Sequence, residues 1–170
     1  RLQAVVFIRD EENYSHAQGY GTAYLGELEA GSLRVVAPVE VAPSAGLTVL
    51  TIVHDRAGRA HPIVQSNDCW QGCCVGDISI LSFDELGRAS STTLLTVGDN
   101  SLDGSDQPWS VSYANPTAVD ADGDGRADTL SGTFIQAVGT ETVEQELRFH
   151  FDDFGRPVPS APIPDFPGGC

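Results

Sequence analysis

Lysine and methionine are absent from this chain, and bases of any kind are scarce: nine arginines stand against 24 acids, a net charge of −15 over 170 residues. A surface this acidic repels phosphate backbones and anionic lipid, so nucleic-acid binding and docking on a charged membrane are not expected. No apolar run nears the ~20 residues of a membrane-spanning helix, and membrane insertion is not expected either. Helical periodicity is nearly missing. So are a glycine-rich phosphate loop, a dinucleotide fingerprint, a GxSxG elbow and any cysteine–histidine catalytic signature. The histidines His16, His54, His61 and His150 are scattered, and acids are too plentiful for any carboxylate pair to be singled out. An enzyme is therefore the minority reading.

What is present is β structure. Apolar residues make up 41% of the chain, enough for a folded core rather than disorder. They fall in short runs rich in Val, Thr and aromatics, bounded by turn residues. The runs predict strands at 3–9, 21–28, 33–41, 47–54, 61–65, 78–83, 92–97, 109–113, 133–138 and 143–151. In the last, alternation places Leu147, Phe149 and Phe151 on one face and Arg148 and His150 on the other. Three runs end in the form Asp-x-x-Gly-Arg, at 55–59, 84–88 and 152–156. The aspartate can cap the turn's own amides while glycine takes the left-handed conformation. The fold class expected is all-β, a mainly antiparallel sandwich of jelly-roll or immunoglobulin-like type. One domain spans 1–156. A proline-rich extended tail, 157–170, carries Pro157, Pro159, Pro162, Pro164 and Pro167, which exclude helix and inner strand.

Cys69, Cys73, Cys74 and Cys170 form an even set, as a disulfide framework requires. Adjacent Cys73 and Cys74 bond each other only with strain. The expected pairings therefore join Cys69 to one of them and Cys170 to the other. Reduced thiols and a thiolate–imidazole metal centre with His54 and His61 are the competing readings, and no strong metal spacing supports the second. Disulfides imply an oxidising compartment, so the protein is expected to be secreted or at the cell surface. A start at Arg1 rather than methionine fits removal of a signal peptide.

The sharpest chemical signal is at 120–128, Asp-Ala-Asp-Gly-Asp-Gly-Arg-Ala-Asp. Asp120, Asp122 and Asp124 alternate, Gly125 permits a sharp turn, Arg126 offers a carbonyl, and Asp128 follows two residues later. Such hard oxygens can surround Ca²⁺, which takes six to eight of them. These nine residues resemble the calcium loops of EF-hands, dockerins, thrombospondin type 3 repeats and FG-GAP repeats. The resemblance implies Ca²⁺ at Asp120, Asp122, Asp124, Arg126 and Asp128. It departs at the twelfth position, where Ser131 replaces the bidentate glutamate, and in its flanks, which read as strand. The EF-hand fold is not expected on that ground, and the metal would be held more weakly or completed by another acid, such as Asp103 or Asp106. A solvated acidic turn is the plainer alternative.

Two functional readings follow. The first is a secreted, non-catalytic structural or adhesive β-domain, self-associating or meeting a cell-surface partner. It rests on the strand-forming segment 2–8, which could add to a neighbour's sheet edge or serve as an ordinary first strand. The alternative is a calcium-supported carbohydrate-binding module presenting aromatics, Trp109 and Tyr113 first, then Tyr20 and Tyr24. A secreted carboxylate-dependent hydrolase is a third and lower reading.

Overall fold

A computed structural model describes residues 2–9, 21–29, 32–39, 46–55, 59–83, 89–102, 104, 106–125, 127–151 and 156–168. Every strand expected from the sequence is found, most of them longer than the apolar runs alone indicated. β1 (Leu2–Arg9), β2 (Gly21–Glu29) and β3 (Ser32–Val39) make a three-stranded antiparallel sheet. The N-terminal segment thus pairs with its own chain, Leu2 opposite Leu28 through Arg9 opposite Gly21.

The remaining strands are β4 (Gly46–His54), β5 (Ala60–Trp70), β6 (Cys73–Phe83), β7 (Ala89–Asp99), β8 (Trp109–Val119), β9 (Thr129–Val138), β10 (Glu141–Phe151) and β11 (Pro157–Pro159). They form one open antiparallel sheet in strict chain order. The all-β, antiparallel expectation holds. No Greek-key crossover occurs among the described strands.

The sheet is creased between β7 and β8, which share only two register pairs, Gly98 with Val111 and Asp99 with Ser110. On the other side of β7, a Cβ on Gly98 would sit 2.2 Å from the Cys74 carbonyl oxygen of β6, so only glycine fits there. Val53, Ile63, Ile78, Ile80 and Leu95 from one side of the crease share a single buried cluster with Val111, Leu130, Phe134, Leu147 and Phe149 from the other. Burial of these apolar faces is the main stabilising term, at roughly 25 cal/mol per Å² removed from water. On β10 the buried residues are Leu147, Phe149 and Phe151, while Arg148 and His150 are exposed, as the alternation predicts.

Two local devices shape the sheet. The β5–β6 connection is a two-residue turn in which Gln71 (φ 48°) and Gly72 (φ 87°) are both left-handed. That conformation matches the natural twist of paired strands. It brings Cys69 directly opposite Cys74, Cα atoms 4.0 Å apart, and the two form a disulfide. Cys74 is thus the partner of Cys69 within the hairpin, no described cysteine is free, and Cys170 lies outside the described residues. The second device is a bulge in β8, where Asn115 is left-handed (φ 53°) and the register with β9 shifts between Ala114 and Thr117. It redirects the end of β8 that carries Asp120.

The proline-rich tail is a strap. Pro157–Pro159 pair with Phe149–Phe151 as an edge strand, consistent with prolines that cannot donate to an inner ladder. Beyond it Gln145 Nε2 donates to Pro162 O (3.3 Å) and Gln136 Nε2 to Asp165 O (2.8 Å). Ala161, Ile163 and Phe166 pack on the core, and Phe166 meets Trp109 edge-on at 4.9 Å. No helix of the described residues is long and apolar enough to cross a membrane.

Candidate metal centre

The loop joining β8 to β9 is closed at its base by Asp128 N–H, which donates to Val119 O (3.0 Å). Within it the aspartates organise the backbone. Asp120 accepts from Gly123 N–H through Oδ1 (2.6 Å) and from Gly125 N–H through Oδ2 (2.8 Å). Asp122 Oδ1 accepts from Asp124 N–H (3.1 Å). Gly123 (φ 78°) and Gly125 (φ 86°) are both left-handed, which a side chain would resist. The amide bonds from Gly125 and then Gly123 hold the Asp120 carboxyl below its ordinary range, so it is anionic at neutral pH.

This folding gathers one oxygen each from Asp120, Asp122 and Asp124 within 4.8 Å of one another, all on exposed side chains. Two oxygens on opposite sides of a Ca²⁺ at about 2.4 Å are about 4.8 Å apart, so the spacing suits a hard cation. The three aspartates expected to act together are thus brought together. Asp128 stands at the loop's base instead. Its Oδ1 accepts from Ala121 N–H (3.2 Å) and Thr129 Oγ1–H (3.0 Å), so it braces the loop. Asp106 does not join the gathered carboxylates. Arg126 and Asp103 lie outside the described residues.

A cleft of about 400 Å³ opens beside the loop, lined by Asp122, Asp124, Asp128, His54, Asp55 and His150 among others. Its far wall is the β4–β5 hairpin, tied to the loop by a backbone bond from His54 N–H to Ala127 O. His54 Nδ1 is buried and has no hydrogen-bond partner among the described residues. Sequence reasoning found the aspartates because they are neighbours in the chain. It did not find His54 or His150 as cleft residues, since no local pattern links β4 and β10 to this loop.

The hairpin is braced by a polar row in which Asp55 and His61 are buried. Asp55 Oδ1 accepts from Arg59 N–H (2.9 Å) and Oδ2 from Arg59 Nε (2.7 Å), the turn-capping role expected of the Asp-x-x-Gly-Arg form. His61 Nε2 lies 3.2 Å from Asp55 Oδ2, and Ser82 Oγ lies 3.1 Å from His61 Nδ1. Burial alone would raise the Asp55 carboxyl, but the bonds from Arg59 and His61 outweigh it and leave the group below its ordinary range. The equivalent turns at 84–88 and 152–155 lie outside the described residues.

The aromatic candidates sit elsewhere. Trp109 is 7% exposed and Tyr113 6%, both in the core rather than on an open face. Trp109 N–H donates to Asn100 Oδ1 (2.6 Å), and Phe166 of the strap covers its ring. Tyr113 lies across Gly132, where an added Cβ would come within 2.6 Å of the ring, and its hydroxyl donates to Leu147 O (2.9 Å). Burial and then the nearby Glu146 charge push that phenol well above its ordinary range, so it stays a neutral donor. Tyr20 and the side chain of Tyr24 lie outside the described residues. No family model, curated protein or solved structure matches this chain.

Proposed function

We propose that this chain is a Ca²⁺-binding β-domain that works outside the cytoplasm in a structural or adhesive role. The observation that carries the reading is the convergence of Asp120, Asp122 and Asp124 on one point. Three carboxylates this close repel one another, and a divalent cation turns that repulsion into attraction. The cation would fasten the β8–β9 loop and, through the His54–Ala127 bond, the β4–β5 hairpin beside it. The Cys69–Cys74 disulfide supports an oxidising location. Self-association belongs to the same reading, because β1 is an edge strand with a side open to a neighbour's backbone among the described strands. The shared core of the two sheet halves supports a sandwich-like closure of the fold.

Isothermal titration of the chelator-stripped protein with CaCl₂ tests this directly. One site of micromolar to millimolar affinity is expected, lost in Asp120→Asn/Asp122→Asn. Absence of heat in the unaltered chain would remove the reading. Light scattering with and without Ca²⁺ tests self-association, and a strictly monomeric solution would remove that part.

The cleft favours a second reading, a calcium-supported glycan site. Its volume suits a small ligand, and its polar lining suits hydroxyls. Such a site lies at the loop and not at Trp109. A glycan array probed with and without EDTA decides it, and a blank array in Ca²⁺ would exclude it.

A further inference from the structure

The chain of contacts from Asp55 through His61 to Ser82 takes its direction from Asp55. Asp55 already accepts two bonds from Arg59, and as a carboxylate it can only accept. His61 Nε2, 3.2 Å away, therefore carries a proton toward Asp55. In the neutral ring Nδ1 then holds the lone pair, and Ser82 Oγ, at 3.1 Å, donates to it. A hydroxyl held against an unprotonated imidazole nitrogen, with the imidazole oriented by a buried carboxylate, follows the logic of an activated nucleophile, with the two ring nitrogens exchanged relative to the Ser-His-Asp triad.

The fold explains how the three meet. His61 pairs with Val53 across β4 and β5, and Ile63 pairs with Ile80 across β5 and β6. Extending that register by one alternate pair sets His61 opposite Ser82 on the core face, at the end of the sheet where Asp55 leaves β4. His61 is 4% exposed and Asp55 8%, so little water screens them. Ser82 is only partly buried. Ser82 is thus the least buried of the three residues.

We propose that Ser82 is a nucleophile that accepts acyl groups from carboxylic esters, with His61 as its general base and Asp55 as the positioning residue. In the first step Ser82 Oγ bonds to the carbonyl carbon and its proton passes to His61 Nδ1. The bond from that carbon to the alcohol oxygen breaks, and the alcohol leaves with the proton. Water then attacks the acyl–Ser82 ester, gives one proton to His61 Nδ1 and releases the carboxylic acid. The proton returns to Ser82 Oγ, so the cycle closes without any oxidant or further reactant. This activity is separate from cation binding and does not depend on it.

The test is reaction of the folded, full chain with a fluorophosphonate probe, followed by intact mass and peptide mapping. A single adduct on Ser82 is expected. Ser82→Ala should abolish it with the melting temperature nearly unchanged, and His61→Gln should slow it at least tenfold. No adduct in the unaltered chain, or adducts spread evenly over several serines, would overturn the proposal. So would a His61→Gln variant that folds and labels at the original rate. Where that variant fails to fold, labelling in urea replaces it: activation by the fold predicts loss of the adduct on unfolding, and equal labelling sinks the idea.

Discussion

At the residue scale, the behaviour of Asp120 and Asp55 follows from what donates to them. Asp120 spends both oxygens on glycine amides while facing Asp122 and Asp124, so it organises the loop as well as lending charge. Asp120→Asn should weaken Ca²⁺ binding by at least tenfold in titration, more than Asp128→Asn, whose oxygen braces the loop's base. Asp55 gives a pH dependence whose sign is determined. Its carboxyl is held below the ordinary value in the folded chain. It therefore contributes stability above the unfolded value of about 3.9, and that contribution is lost as pH falls through the folded value. Asp55→Asn leaves Arg59 and His61 poorly matched and should cost about 2 kcal/mol at pH 7. The deficit should shrink toward pH 3 in denaturant melts. An unchanged deficit across that range would show that the carboxylate's charge is not what matters.

Among the elements, the strap tests how far a short edge strand depends on its anchors. β11 has three residues, and its hold comes from Phe166 against Trp109 and from side-chain amides reaching the tail's carbonyls. Phe166→Ala should destabilise by about 2 kcal/mol, less than a fully buried phenylalanine because the ring is only partly covered. In a Trp70→Phe background the Trp109 emission should shift to the red as water reaches the ring. A second element-scale consequence concerns β7. Gly98→Ala forces a methyl against the Cys74 carbonyl and should cost several kcal/mol, by backbone displacement rather than lost burial. Circular dichroism melts distinguish it from Gly104→Ala, where the added carbon meets nothing and only the left-handed backbone objects.

For the whole molecule, the loop and the hairpin act as one unit. The bond from His54 to Ala127 couples them, so occupancy of the aspartates should raise the global melting temperature and not merely order a surface turn. At 100 times the dissociation constant a single cation adds about 2.7 kcal/mol. Melts in EDTA and in saturating CaCl₂ should differ accordingly, and identical curves would uncouple the loop from the fold. Magnesium should stabilise less, because a flexible carboxylate loop suits the larger ion.

Local chemistry made much of this molecule readable in advance. Strand positions followed from runs of β-branched and aromatic residues, the β10 faces from two-residue alternation, and the clustered aspartates from their spacing. Each depends on residues within a few positions of one another, where side-chain direction is set by the backbone itself. The sequence also limited Cys69 to a hairpin partner without choosing between Cys73 and Cys74; the register of the left-handed turn at Gln71 and Gly72 chose. Tertiary structure alone decided the rest. The folded sheet sets β4 beside the β8–β9 loop, which assembles His54, His150 and the aspartates into one cleft. It also decided that Trp109 is covered by the strap and that Asp55, His61 and Ser82 form a row. Most of those groupings join residues far apart in the chain, His61 with Ser82 and His54 with His150 among them, and only the curvature and register of the folded sheet bring them together.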